Sequence, residues 1–393
     1  MTSTAEPDAR RLFEQVPALP GNGVLLHVGV HKTGTTAIQA ALADARPELR
    51  KAGVLYPGKR KAQHRSALAV NEKTWGWKDR GGESYDIEVY DWLVGQVTGH
   101  AGRVAVSSEF FCEGTAETAA RVAGDFGRER VHVVITLRNL GRLLPSSWQQ
   151  YLKYGLVADY DKWLHNAFDA PGGKMTPSFW RRNDHAAVVS RWTEAVGPEN
   201  VSVLVLDGAD LSAQFRTFAQ LLDVPEEVLV SRMNLTSNRS MTAAEAAFLI
   251  GLNKRVKTEL TWDEYVKYVR RGVALGMVEG REPEPDEPRL HTPGWALDSA
   301  AEHGARSVDG IRATGARVLG DLDALAVRAD SPPPVPESVE RELPTDAAVQ
   351  AVVTVIEATR ENPDMTAREL RDELWRRTKQ DMRLRWRLKS LRP

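Results

Sequence analysis

Residues 24–36 read Val24-Leu25-Leu26-His27-Val28-Gly29-Val30-His31-Lys32-Thr33-Gly34-Thr35-Thr36. The stretch Val24 to Val30 is apolar apart from His27 and Gly29, the length and composition of a strand buried on both faces. Gly29 and Gly34 then bracket a short loop of hydroxyls with one lysine. Ala37 to Leu49 follows, rich in Ala and Leu, and reads as a helix. Strand, Gly/Thr loop and helix in that order open an α/β domain. Backbone N–H groups at a helix N-terminus point outward and carry partial positive charge, so such a loop is suited to an anion. Gly34 lets the backbone approach closely, Thr33, Thr35 and Thr36 add hydroxyl donors, and Lys32 adds a full charge.

Three further apolar runs read as strands: Arg103 to Ser107, Val131 to Leu137 and Val201 to Leu206. Helical segments separate them, which makes a parallel sheet the economical topology. Residues 59–90 are rich in Gly, Trp and charge and are expected to be irregular and to border a site. From Thr242 the pattern turns helical, opened by a capping box at Thr242 and Glu245, with another at Thr366 and Glu369. The expected organisation is a flexible leader over 1–20 and an α/β domain over 21–330, mainly helical from 240 to 330. A Pro-rich linker over 331–344 and a basic helical tail over 345–393 complete it.

Lys and Arg total 52 against 53 Asp and Glu in the 393 residues, a formal net charge of −1. With no basic excess, nucleic acid is not an expected partner and any anion site must be local. A single cysteine, Cys112, makes no internal disulfide, and no apolar run is long enough to span a bilayer. A cytoplasmic protein without integral membrane association is expected. No Cys/His cluster has metal-ligand spacing, so no metal is expected.

A P-loop nucleotide triphosphatase has Gly-x-x-x-x-Gly-Lys-Ser/Thr. Here Thr35 follows the second glycine and Lys32 precedes it. Lys32-Thr33-Gly34-Thr35-Thr36 after an apolar strand instead resembles the 5′-phosphosulfate loop of the sulfotransferases that use 3′-phosphoadenosine-5′-phosphosulfate (PAPS), in particular the bacterial and carbohydrate-type members. The resemblance implies a P-loop-like, three-layer α/β/α fold with a central parallel sheet. It implies that Lys32, Thr33, Gly34, Thr35 and Thr36 hold the 5′-phosphosulfate. It also implies that Arg138 at a strand end and Ser146, eight residues on, clamp the 3′-phosphate. Pro145 suits only a first helical turn. The helix is therefore expected to start late, which makes Ser147 a rival to Ser146. Arg239 is a further candidate for the 3′-phosphate by the same resemblance.

In that family a base follows the strand lying between the two phosphate motifs in sequence. By that token Glu109 is the expected general base. Phe110 and Phe111 beside it predict an apolar setting that raises its pKa. His31 is the rival, as a group titrating near neutrality, and Lys32 is expected to stabilise the bridging oxygen. The acceptor would be a small molecule or a glycan, with Trp75, Trp77 and Trp92 as candidate stacking surfaces. Two other functions remain open: a P-loop nucleotide kinase or NTPase with Asp207 as the magnesium ligand, and a non-catalytic nucleotide binder.

Overall fold

A computed structural model describes residues 16–173, 175–206, 210, 212–233, 239–334 and 342–360. The chain divides into two compact units. The first holds a single six-stranded sheet in the order Val54–Leu55 (β2), Arg103–Ser107 (β3), Val24–Gly29 (β1), Val131–Leu137 (β4), Val201–Val205 (β5) and Arg317–Leu319 (β6), with every pairing parallel. β1 (Val24–Gly29), β3 (Arg103–Ser107), β4 (Val131–Leu137) and β5 (Val201–Val205) are the runs legible in the sequence. The edges β2 (Val54–Leu55) and β6 (Arg317–Leu319) are only two and three residues long.

Every residue of β1 is buried, as expected for an interior strand of a parallel sheet covered on both faces. Alternate side chains serve opposite cores. Val24, Leu26 and Val28 pack with Tyr90, Leu93, Val122, Val188, Trp192 and Ile311 on one face. Leu25 packs with Ile38, Leu42, Phe215 and Phe218 on the other. Val16 and Leu19 join this second core, and the Leu19 N–H donates to the Leu221 carbonyl. The end of the expected loose leader is therefore packed, because two apolar residues there find the sheet face. β1 lies between β3 and β4, although the chain visits β2 before β3. Such a reversal opens a crevice at the carboxyl ends of the strands around it.

The second unit comprises Leu152–Val157, Asn238–Arg289 and Val335–Pro393. Its described part is helical and opens at Ala243–Val256, where the capping box of Thr242 and Glu245 is formed. A helix over Thr345–Arg360 packs on the wide-turn helical stretch Tyr265–Leu275 and its continuation Gly276–Glu279. Gly272, Gly276 and Gly280 face Val355, Thr354 and Gln350, and a methyl on Gly276 would lie 2.0 Å from Thr354 Oγ1. This corrects two boundaries. Residues 238–289, expected inside the α/β domain, fall in the second unit, whereas 290–334 lie in the unit of the sheet and supply β6. Helix 345–360 is not a separate tail, because the glycines let it seat closely on Val273 and Met277. The second capping box at Thr366, the basic segment Arg383 to Lys389 and Asp207 lie outside the described residues. No described helix is long and apolar enough to cross a membrane.

Candidate functional site

Three neighbouring strands end at the same edge. β1 runs into the loop Val30–Gly34, β3 into the short helix Glu109–Glu113, and β4 into Arg138. The loop is tied to β4 by the Val30 N–H, which donates to the Thr136 carbonyl at 2.8 Å. It is tied to β3 by close approach. Gly29 has φ +79°, and a Cβ there would lie 2.7 Å from the Glu109 Cβ, so only glycine fits.

Beneath the loop a buried chain of hydrogen bonds crosses all three strands. The Thr33 hydroxyl donates to the Val30 carbonyl at 2.7 Å. Its single proton is thereby used, so the Thr136 hydroxyl, 2.7 Å away, must donate to Thr33 Oγ1. Thr136 Oγ1 then accepts from His27 Nε2 at 3.2 Å, and His27 Nδ1 accepts from the Ser107 hydroxyl at 2.8 Å. Burial lowers the His27 pKa to about 4, which agrees with the neutral tautomer this chain requires. Thr33 is 2% exposed. Its hydroxyl braces the loop and has no proton left for a ligand, which corrects its expected part in anion binding.

The loop itself keeps the features of an anion cradle. Lys32 has φ +66°, a left-handed conformation uncommon for a residue with a side chain. Gly34 (φ +78°) is the N-cap of α1 (Thr35–Asp44), no side chain caps it, and the first turn has no acid. Beside it, Gln214 is buried with its Oε1 lacking a hydrogen-bond donor among the described residues.

Arg138 is partly buried, and no described residue accepts a hydrogen bond from its guanidinium. Burial, with a smaller push from Arg142, lowers its pKa. A cation set in this way, without a carboxylate, suits an incoming anion. The helix that follows is Leu140–Leu152, entered through the Asn139 side chain, which accepts from the Arg142 N–H at 3.3 Å. Pro145 therefore lies inside the helix, and the late start expected from it is not found. Ser146 donates back to the Leu143 carbonyl at 3.0 Å. Ser147 is 8% exposed and lines a small cleft with His31, Lys32, Gln150, Tyr151, Phe179, Arg182 and Asn183.

Glu109 is where the strand end was expected to put it, but its setting differs. Burial pushes its pKa up, yet His64, His31, the Gln39 amide and its own backbone N–H outweigh this and hold it below the ordinary carboxylate value. Gln39 Nε2 donates to Oε2 at 3.0 Å, and His64 Nδ1 stands 3.7 Å from the same oxygen. The apolar neighbours Phe110 and Phe111 do not govern it.

Arg239 is not disposed for a phosphate. All five of its N–H donors are engaged, two on Glu245 at 2.7 Å and the others on the carbonyls of Ser240, Met277 and Arg281. It neutralises the capping glutamate of the second unit. Trp77 carries Arg80 over its ring at 5.2 Å, and Trp92 is half exposed.

Sequence reading missed the groups that surround the loop: Gln39, His64, Lys73, Glu113 and Arg182. Of these, His64 and Lys73 fall inside the stretch 59–90 that was expected to border a site; it is not irregular throughout, since His64–Val70 is a helix and another starts at Glu88. Glu113 is buried and accepts from His31 Nε2 at 3.0 Å, Arg182 Nε at 2.9 Å and Lys73 Nζ at 2.8 Å. No protein-family model, no curated protein and no solved structure matches the chain.

Proposed function

We propose that the chain is a sulfotransferase of P-loop-like fold that moves a sulfuryl group from PAPS to a hydroxyl or amine of a small-molecule or glycan acceptor. One observation carries this reading: the ends of β3, β1 and β4 bring Glu109, the Lys32–Thr36 loop and the carboxylate-free Arg138 to one edge of the sheet. Two separate cationic anchors, one at an uncapped helix start and one at the next strand end, suit a ligand with a phosphate at each end of its ribose.

In this reading the loop amides, Thr35, Thr36 and Lys32 hold the 5′-phosphosulfate. Arg138 holds the 3′-phosphate, with the hydroxyl of Ser147, or with that of Ser146 when it exchanges its bond to the Leu143 carbonyl for one to the phosphate. The acceptor oxygen forms a bond to sulfur as the bond from sulfur to the 5′-phosphate oxygen breaks and leaves its electron pair there. Lys32 stabilises that leaving oxygen. The acceptor proton passes to a base at the same edge, where both Glu109 and His31 stand. Positioning and charge supply most of the rate, since the protein makes no covalent bond.

The test is a thermal-shift comparison of the desulfonated product (PAP), ADP and ATP with magnesium. PAP should stabilise the protein at concentrations where ATP does not. A larger shift with ATP and magnesium overturns the reading in favour of a nucleotide kinase or NTPase.

A further inference from the structure

Glu113 closes the short helix that Glu109 begins, and only 3% of its side chain is exposed. Its Oε1 accepts from His31 and Arg182, and its Oε2 from Lys73. An ionised carboxylate can only accept hydrogen bonds, so His31 Nε2 must carry the proton in that contact. A neutral imidazole protonated on Nε2 has its lone pair on Nδ1. No described residue hydrogen-bonds His31 Nδ1. The ring is held edge-on to Phe110 with centroids 5.2 Å apart. His31 directly precedes Lys32 and lines the cleft with Ser147, Tyr151 and Asn183.

We propose that His31 Nδ1 is the base that takes the acceptor proton and that Glu113 is the positioning residue that fixes its tautomer; the proposal rests on the sulfuryl-transfer reading above. The acceptor O–H proton moves to Nδ1 as the new bond to sulfur forms. The imidazolium so produced lies against the Glu113 carboxylate and later releases its proton to solvent. The arrangement follows the logic of a histidine oriented by a buried acid.

The charges facing His31 agree with this assignment. Burial and Arg182 lower its pKa, and Glu113 and Glu109 raise it, with a net fall below 6.5. The ring is therefore neutral and able to accept a proton at pH 7. Burial raises the pKa of Glu113, but Arg182, His31 and Lys73 reverse this and hold it well below the ordinary value. Lys73 stands behind Glu113 and Lys32 adjoins His31 along the chain. Glu109 already accepts from Gln39, and its negative charge favours the imidazolium.

The experiment combines long-range proton–nitrogen NMR of the histidine rings in the full, nitrogen-labelled chain with release of sulfate from labelled PAPS, water serving as the acceptor. The His31 signals are assigned by their loss in His31→Gln. Expected are protonation on Nε2 above pH 7 and a midpoint below 6.5. Glu113→Gln should lose the tautomer preference and lower the midpoint further, because a carboxylate that raised it is gone. Arg182→Met should raise the midpoint, and this arm serves if Glu113→Gln does not fold. Sulfate release should fall about 100-fold or more in His31→Gln. In Glu113→Gln its rising pH limb should move to lower pH with a lower plateau, and Glu113→Asp should recover part of the rate. PAP affinity should stay within about threefold in each. An Nδ1–H tautomer in the native protein, or turnover lost in Glu109→Gln but kept in His31→Gln, overturns the dyad alone. A native chain that does not bind PAP overturns the sulfuryl-transfer reading and the proposal with it.

Discussion

Replacing Arg138 with alanine gives the sharpest test of the second anchor. Its guanidinium is partly buried at the end of β4, and no described acid or carbonyl takes its donors. In the free protein it therefore gains little for the solvation it has lost, and Arg142 adds repulsion. With a phosphate in place it would make charge-assisted hydrogen bonds, about 1.5–3 kcal/mol for such a contact. At about 1.4 kcal/mol per tenfold, Arg138→Ala should weaken PAP binding roughly 10- to 150-fold. The same geometry fixes the sign of a second readout. The melting temperature without ligand should hold or rise, since the change removes a partly desolvated cation beside another. Arg138→Lys keeps the charge without the planar fork and should fall between the two. Titration calorimetry with PAP and thermal melts without it make the measurement. Affinity within about twofold of native moves the 3′-phosphate elsewhere. A fall of several degrees in the ligand-free melt would show that Arg138 is structural.

Ending the chain after Leu343 removes the helix that covers Val273 and Met277. The second unit should lose about 1.5–3 kcal/mol for each side chain uncovered and bind a hydrophobic dye. PAP affinity should be retained, because all three strand-end elements lie in the first unit; a truncated chain as stable as the native one would refute the packing argument. Acid should destabilise the first unit below pH 6.5. Burial lowers His27, His132 and His185 from 6.5 to about 4. Between those values the unfolded chain binds more protons than the folded one, so stability falls as pH falls, by about 2 kcal/mol per histidine at pH 5. Urea midpoints at pH 7.5, 6 and 5 measure it, and a flat profile from 6.5 to 5 would contradict the buried neutral state of these rings.

The interior strands were legible because each is an apolar run of five to seven residues. β2 and β6 were not, because two or three residues carry no periodicity. The loop was legible for a similar reason: its chemistry is contiguous from Gly29 to Thr36. The Glu113 hub was not, since His31, Lys73, Glu113 and Arg182 come from four separate segments and only folding makes them neighbours. Glu109 shows the two cases in one residue. Its place followed from the end of β3, but the direction of its pKa did not, because Phe110 and Phe111 are neighbours in sequence while His64, His31 and Gln39 are neighbours in space. Arg239 failed as a ligand for a reason the sequence did contain. The Glu245 of the capping box lies six residues on, and a buried capping carboxylate needs a counter-ion.

The buried chain from Ser107 through His27 and Thr136 to Thr33 explains why a loop with two glycines can still be precise. Four polar side chains beneath a strand edge would each be costly if unpaired. Here each proton has one acceptor, so the chain is satisfied only when β3, β1 and β4 hold their register and Thr33 turns inward. That fixes Val30 from both sides, through its N–H on Thr136 and its carbonyl under the Thr33 hydroxyl. His31 is the next residue. Its backbone is therefore set by the sheet, and its ring is set independently by Glu113 and Phe110. A group anchored at both ends loses little entropy when a substrate arrives, which is the condition for placing Nδ1 and the Lys32 charge on one reacting centre. The glycines then serve close approach, at Glu109 and at the start of α1, while the hydrogen-bond chain beneath them supplies the rigidity.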